Sequence, residues 1–339
     1  MFSFEHFIDL PLIWGGIIAV AVLLYILLDG FDLGVGILSP FAPDDKARDR
    51  MINSIAPFWD GNETWLVLGG GGLFAAFPLA YSIVMPALYI PVILMLVCLI
   101  FRGVAFEFRF KANTSKTLWT YAFHFGSLGA AFFQGLILGG IVQGITVEGR
   151  SFAGGPFDWL SGFSILTGIS VVFGYALLGA TWVYMKSAHD LQDWARKCAK
   201  YVLLYVGAFM ALVSLWVPFL DNDIDQRWFG GNNIYYLMPI PAITAVIYFS
   251  IWKTLNDAKK DFIPFLLSLA LFFMGYLGLA VSMWPSIVPY DVTLWQAAAA
   301  PESLSLLLVG VAIMLPIILA YTAWCYWIFR GKTTDEPTY

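Results

Sequence analysis

Five carboxylates and one arginine fall within or beside the first three apolar stretches of this 339-residue chain. Asp29 and Asp32 lie in Leu28-Asp-Gly-Phe-Asp-Leu-Gly-Val-Gly36, and their i,i+3 spacing puts both on one helix face. Asp60 and Glu63 lie in Asn53-Ser-Ile-Ala-Pro-Phe-Trp-Asp-Gly-Asn-Glu-Thr-Trp65, beside Trp59 and Trp65. Arg102 and Glu107 lie in Phe101-Arg-Gly-Val-Ala-Phe-Glu-Phe-Arg109. Charged groups at membrane depth are costly to keep and mark proton or ion routes. Carboxyl groups partly withdrawn from water exchange protons near neutral pH, and an arginine beside them keeps some ionised. The pattern therefore predicts a proton-uptake entrance. The competing explanation is that these acids are solvated by headgroups and merely pin helix ends; it bears most on Asp32, Glu107 and Arg109, and least on Asp29, Asp60 and Arg102.

Other chemistry finds little support. The histidines are His6, His124 and His189, and only His124 falls inside an apolar stretch. A copper–haem oxygen site or a bis-histidine haem needs more than that. His124, lying among aromatics, reads as a packed, hydrogen-bonded residue. Cys98, Cys198 and Cys325 have neither metal spacing nor a disulfide framework. Gly69-Gly-Gly-Gly72 lacks the Lys-Ser/Thr of a phosphate loop, and reads instead as a place where another helix or a ligand approaches closely. Gly30/Gly34 and Gly135/Gly139 follow the small-xxx-small pattern of helix packing. No Ser, His and Asp grouping suggests hydrolysis.

The elements that must position the acids are membrane helices. The chain is 60% hydrophobic and 12% charged, against roughly 25% charged in soluble domains. Its apolar runs do not alternate in polarity, which excludes an outer-membrane barrel. Nine spans are expected: Pro11–Gly36, Asn62–Phe77, Leu79–Arg102, Leu118–Ile145, Trp159–Met185, Ala199–Phe219, Leu237–Thr254, Phe262–Trp284 and Leu304–Phe329. Only Pro78 separates the second from the third, so a tight turn joins them. Asp44–Ala56 is too polar to span and reads as a short surface helix, and Asp221–Asn233 as an acidic external loop without a motif.

Of the 18 lysines and arginines, all but Arg102, Arg150 and Arg227 fall on one side of this topology. By the positive-inside rule that side is cytoplasmic, with the N-terminus outside and the C-terminus in the cytoplasm. The acidic N-terminus (Glu5, Asp9) has no basic region or small-residue cleavage site, so the first span is expected to stay in the mature protein. Residues 1–339 read as a single polytopic domain, with no loop long enough to bury a core of its own. The topology brings the five carboxylates and Arg102 to the cytoplasmic side of three consecutive spans.

These segments, with Gly71-Gly-Leu-Phe-Ala-Ala-Phe-Pro78 and Tyr321-Thr-Ala-Trp-Cys-Tyr-Trp-Ile-Phe-Arg-Gly-Lys332, resemble subunit II of the cytochrome bd-type quinol oxidases. The likeness covers the whole chain. Its compact length and short external loops look more like the cyanide-insensitive branch. The resemblance implies an all-α fold of two four-helix bundles plus one extra helix, paired with a similar subunit I about a pseudo-twofold axis. It implies that haems b558, b595 and d and the quinol site belong to subunit I. The complex would oxidise quinol at the outer side and reduce oxygen to water with cytoplasmic protons, electrogenically and without pumping. In this family small single-helix accessory subunits and, in some members, a structural quinone in subunit II are further expectations.

Carried onto these positions, the resemblance makes Asp60 with Trp59 the entrance of a proton pathway and Arg102 and Glu107 its partners. Glu107 stands where some members have aspartate. Asp29 and Asp32 match the paired acids of the first helix, and Trp65 matches a tryptophan associated with an oxygen route in some members. The rival from another class is a proton-coupled transporter built on the same acids and glycine-broken helices. A third reading is a pure scaffold with only interfacial acids.

Overall fold

The computed structural model of the protein describes residues 9–112, 114–257 and 260–333; Glu5, His6 and Lys259 lie outside the described residues. Nine long helices follow the expected spans: α1 (Leu10–Leu38), α2 (Trp59–Ala76), α3 (Pro78–Lys111), α4 (Lys116–Val142), α5 (Gly162–Lys186), α6 (His189–Trp216), α7 (Pro239–Asp257), α8 (Ile263–Met283) and α9 (Pro301–Ile328). Eight are long and apolar enough to cross a membrane. The exception is α2, whose 18 residues open with the polar run Trp59-Asp-Gly-Asn-Glu-Thr64 and so are too polar on average.

Helix starts follow local chemistry. Asp9 caps α1 by accepting from the Leu12 N–H at 3.0 Å. At α5, Ser161 and Ser164 form a reciprocal capping box. Pro78 opens α3 at a position where its missing N–H removes no hydrogen bond, leaving only Phe77 between α2 and α3. The surface helix Asp45–Asn53, capped by Asp44, forms where expected.

Several helices run past the apolar stretches that reveal them. α2 begins at Trp59, α3 continues through Glu107 and Arg109 to Lys111, and α6 begins at His189. Glu107 and Arg109, beyond the expected end at Arg102, and Arg196 and Lys197, ahead of the expected start at Ala199, are therefore helical. Hydropathy marks where a segment leaves hydrocarbon, whereas the helix persists into water until a breaker stops it. Two short hairpins supplement the all-α architecture: Val147–Glu148 with Ser151–Phe152, and Ser286–Val288 with Val292–Thr293.

The helices close into two four-membered rings. α1, α2, α3 and α4 pack in sequence, with α4 returning to α1; α5, α6, α7 and α8 do the same. The rings share a seam of α1 and α4 against α5, and α9 lies against α1 and α2. The seam depends on small residues: a Cβ added at Gly34 would lie 1.8 Å from the Tyr175 carbonyl oxygen, and one at Gly179 would lie 2.3 Å from the Gly34 carbonyl carbon. Gly69 and Gly72 face Val22 and Ile18 of α1, so the glycine run serves helix packing on that face.

Candidate functional site

Arg102 sits inside the first ring, 1% exposed, where α1, α2 and α3 meet. Its guanidinium fork donates from Nη1 to Asp29 Oδ1 at 2.6 Å and from Nη2 to Glu63 Oε1 at 2.5 Å. The Asp29 side chain is fully buried, whereas that of Glu63 is 27% exposed. Such charge-assisted bonds are about twice as strong as neutral ones. The fork orients both carboxylates and ties three helices together.

Asp32, one turn beyond Asp29, is also fully buried. Its Oδ2 accepts from Asn62 Nδ2 at 2.7 Å, and Asn62 Oδ1 accepts from the Tyr326 hydroxyl at 3.0 Å. Asn62 thus links the paired acids of α1 to α9. Asp32 Oδ1 and Arg102 Nε are buried without a protein partner. One guanidinium cannot balance two fully buried ionised aspartates together with the half-buried Glu63, so the cluster suits proton or water exchange.

The other expected residues distribute around this centre. Asp60 is exposed in the first turn of α2, one turn before Glu63. The Trp59 ring lies 5.8 Å from the Arg102 guanidinium carbon and 5.2 Å from the Phe106 ring. Glu107 stands apart: it does not bond Arg102 but pairs with Lys111 at 3.8 Å, its side chain 42% exposed. Trp65 is buried with Ala21 and Tyr25, against Leu315 and Ile318 of α9. Arg109, expected at the surface, is instead buried, donating to Asp49 at 2.7 Å and to Thr120 at 2.9 Å. Asp49 also accepts from Lys116 at 2.7 Å, fastening the surface helix to α3 and α4.

Reading by residue type passed over Asn62, Tyr326 and a third group. Gln134 Nε2 donates to the Tyr25 hydroxyl at 2.7 Å, and the Tyr175 hydroxyl donates to Gln134 Oε1 at 2.7 Å. Uncharged polar residues rarely stand out in an apolar run; the one available signal was that Tyr25 precedes Asp29 by one helical turn. A cavity of about 300 Å³, lined by Arg50, Ser54, Lys186 and His189, lies elsewhere, by the surface helix and the α5–α6 junction, and none of the clustered acids line it.

His124 packs edge-on to Phe41 and Phe125, with centroids at 6.1 and 5.0 Å. Among the described residues no three His, Cys, Asp or Glu side chains group as a metal site.

Comparison with known proteins agrees with this architecture. A chain in the solved structure of bd oxidase from Geobacillus thermodenitrificans superposes with a TM-score of 0.77 at 16% identity, covering 95% of this chain and 99% of that one; it shares the fold. The cytochrome bd-I ubiquinol oxidase subunit 2 of Escherichia coli K12 is 30% identical over 366 residues, covering 96% of both chains. The cytochrome bd ubiquinol oxidase subunit 2 of Bacillus subtilis 168 is 29% identical, covering 96% of this chain and 97% of its own length. The family model for cytochrome bd terminal oxidase subunit II matches residues 10–329. This multi-pass membrane chain therefore belongs to the cytochrome bd terminal oxidase subunit II family.

Proposed function

We propose that this chain is the subunit without haem ligands of a quinol oxidase, stabilising a haem-bearing subunit I and feeding it cytoplasmic protons for reduction of oxygen to water. Haems b558, b595 and d, when bound in subunit I, supply the electron transfer and oxygen chemistry. The proton-coupled transporter is disfavoured by the family. The complex resides in the bacterial inner membrane, with the N-terminus of this chain outside and its C-terminus in the cytoplasm. It works electrogenically without pumping, and residues 1–339 act as one polytopic domain. A structural quinone, small single-helix accessory subunits and an oxygen route past Trp65 belong to the same reading.

One observation carries the proton path: carboxylates graded from exposed to fully buried, with Asp60 one turn before Glu63 and with Glu63 and Asp29 bonded to the same arginine. Asp60 is exposed, Glu63 is 27% exposed and Asp29 is fully buried, with Glu63 and Asp29 on the two arms of Arg102. Asp60 collects a proton beside Trp59, with Glu107 a collector further out on α3. Glu63 receives it from water and hands it to Asp29 through a bridging water, since the arginine stays protonated and only holds the carboxylates in place. Asp32, oriented by Asn62, takes it onward. Oxygen consumption per haem in purified Asp60→Asn and Asp29→Asn complexes tests this. Both should slow turnover at full haem content, Asp29→Asn the more. Unchanged turnover in both would remove the route.

A further inference from the structure

We propose that Gln134 and Tyr175 are positioning residues for Asp29: together they hold the Tyr25 hydroxyl as a donor toward the Asp29 carboxylate. This rests on the reading of Asp29 as a member of the proton route. Tyr25 and Asp29 stand one turn apart on one face of α1, and both are buried. Asp29 Oδ1 is taken by Arg102, and Oδ2 has no direct partner. The Tyr25 proton therefore has an acceptor-only group on one side and Gln134 on the other.

A carboxamide has one end that accepts and one that donates, and its orientation decides which way Tyr25 points. Oε1 is occupied by the Tyr175 hydroxyl at 2.7 Å, which turns Nε2 toward Tyr25, also at 2.7 Å. Tyr25 then spends a lone pair on Gln134 and keeps its proton for Asp29, directly or through one water. Reversing the amide would draw the Tyr25 proton to Oε1. It would also leave the Tyr175 proton among apolar neighbours, since the Tyr175 ring stacks on Phe272 at 5.8 Å and abuts Gly30. The observed orientation uses the Tyr175 proton and leaves the Tyr25 proton free for Asp29. The ladder crosses α1, α4 and α5, so the inter-bundle seam takes part in setting the charge state of an acid in the first bundle.

The charged and titratable groups acting on Asp29 are Arg102 on α3, Glu63 on α2, Asp32 and Tyr25 on α1, Tyr175 on α5 and Tyr326 on α9. Of these, Tyr175→Phe disturbs only the far end of the ladder and keeps the ring stack. Gln134→Glu is the stronger variant where it is ionised, because a carboxylate is acceptor-only and draws both tyrosine protons.

The test is the pH profile of oxygen consumption by the purified oxidase complex, wild type against Tyr175→Phe and Gln134→Glu, with haem content and melting temperature measured alongside. A carboxylate that loses a donor holds its proton to higher pH. The acid limb of the profile should therefore move up by about half to one pH unit, the equivalent of one hydrogen bond. Lower haem content or melting temperature with a wild-type profile would reduce the ladder to packing and overturn the proposal. Should Gln134→Glu fail to assemble, Tyr175→Phe decides alone. Asp29→Asn and Asp29→Glu separate the two levels. If both keep wild-type turnover and profile, the proton route fails and this proposal with it. If they impair turnover while Tyr175→Phe keeps the wild-type profile, this proposal alone fails.

Discussion

Arg102 on α3 donates to Asp29 on α1 at 2.6 Å, and their side chains are 2% and 0% exposed. The pair brings together two charges far apart in the chain and sets the register of α3 against α1. Glu63 on the second arm of the fork extends the same constraint to α2.

Arg102→Met should be strongly destabilising. Removing one partner leaves Asp29 as an uncompensated buried charge, a loss of about 3–5 kcal/mol. A clear fall in melting temperature of the purified complex is the expected outcome. Arg102→Lys should fall between, because a single ammonium cannot serve two carboxylates with the geometry of the fork.

Turnover should be lost in proportion to burial along the carboxylates. Glu63→Gln should slow oxygen consumption by roughly tenfold or more, as general acid–base groups contribute large factors. Glu107→Gln should stay within about twofold, because this exposed group makes only a surface pair with Lys111, worth little. A larger effect at Glu107 than at Glu63 would place the main path elsewhere.

The inter-bundle seam predicts a sharp contrast between two glycines. In Gly34→Ala the new methyl carbon would lie 1.8 Å from a backbone oxygen, so α1 and α5 must separate. Gly70→Ala meets nothing within 4 Å. Membrane yield of assembled complex should collapse for the first and hold for the second.

Asn62 and Tyr326 should be energetically coupled. Tyr326→Phe removes one hydrogen bond, about 1 kcal/mol. Asn62→Leu also leaves Asp32 without its donor, a further ~1–3 kcal/mol. In a double-mutant cycle on melting temperature, the second substitution should cost less in the presence of the first.

What residue types and hydropathy determined was broad but firm. The nine helices, the turn at Pro78, the surface helix after Asp44 and the grouping of Asp29, Asp32, Glu63 and Arg102 were all legible. Each depends on the transfer of a whole segment between water and hydrocarbon, a property of consecutive residues. The motif around Trp59 to Trp65 was distinctive enough to mark the family.

Only the tertiary structure decided who meets whom. Arg102 chose Asp29 and Glu63 over the nearer Glu107, because those two lie on helix faces turned into the ring while Glu107 faces outward beside Lys111. Arg109 went inward to Asp49 for the same reason. Asn62 with Tyr326, and Tyr25 with Gln134 and Tyr175, gave little sign in the chain beyond the one-turn spacing of Tyr25 and Asp29, because each is a single polar group in an apolar run and its partner lies on another helix. Helix rotation and the close seam at Gly34 and Gly179 fix those pairings, and they follow from packing in three dimensions rather than from the order of residues.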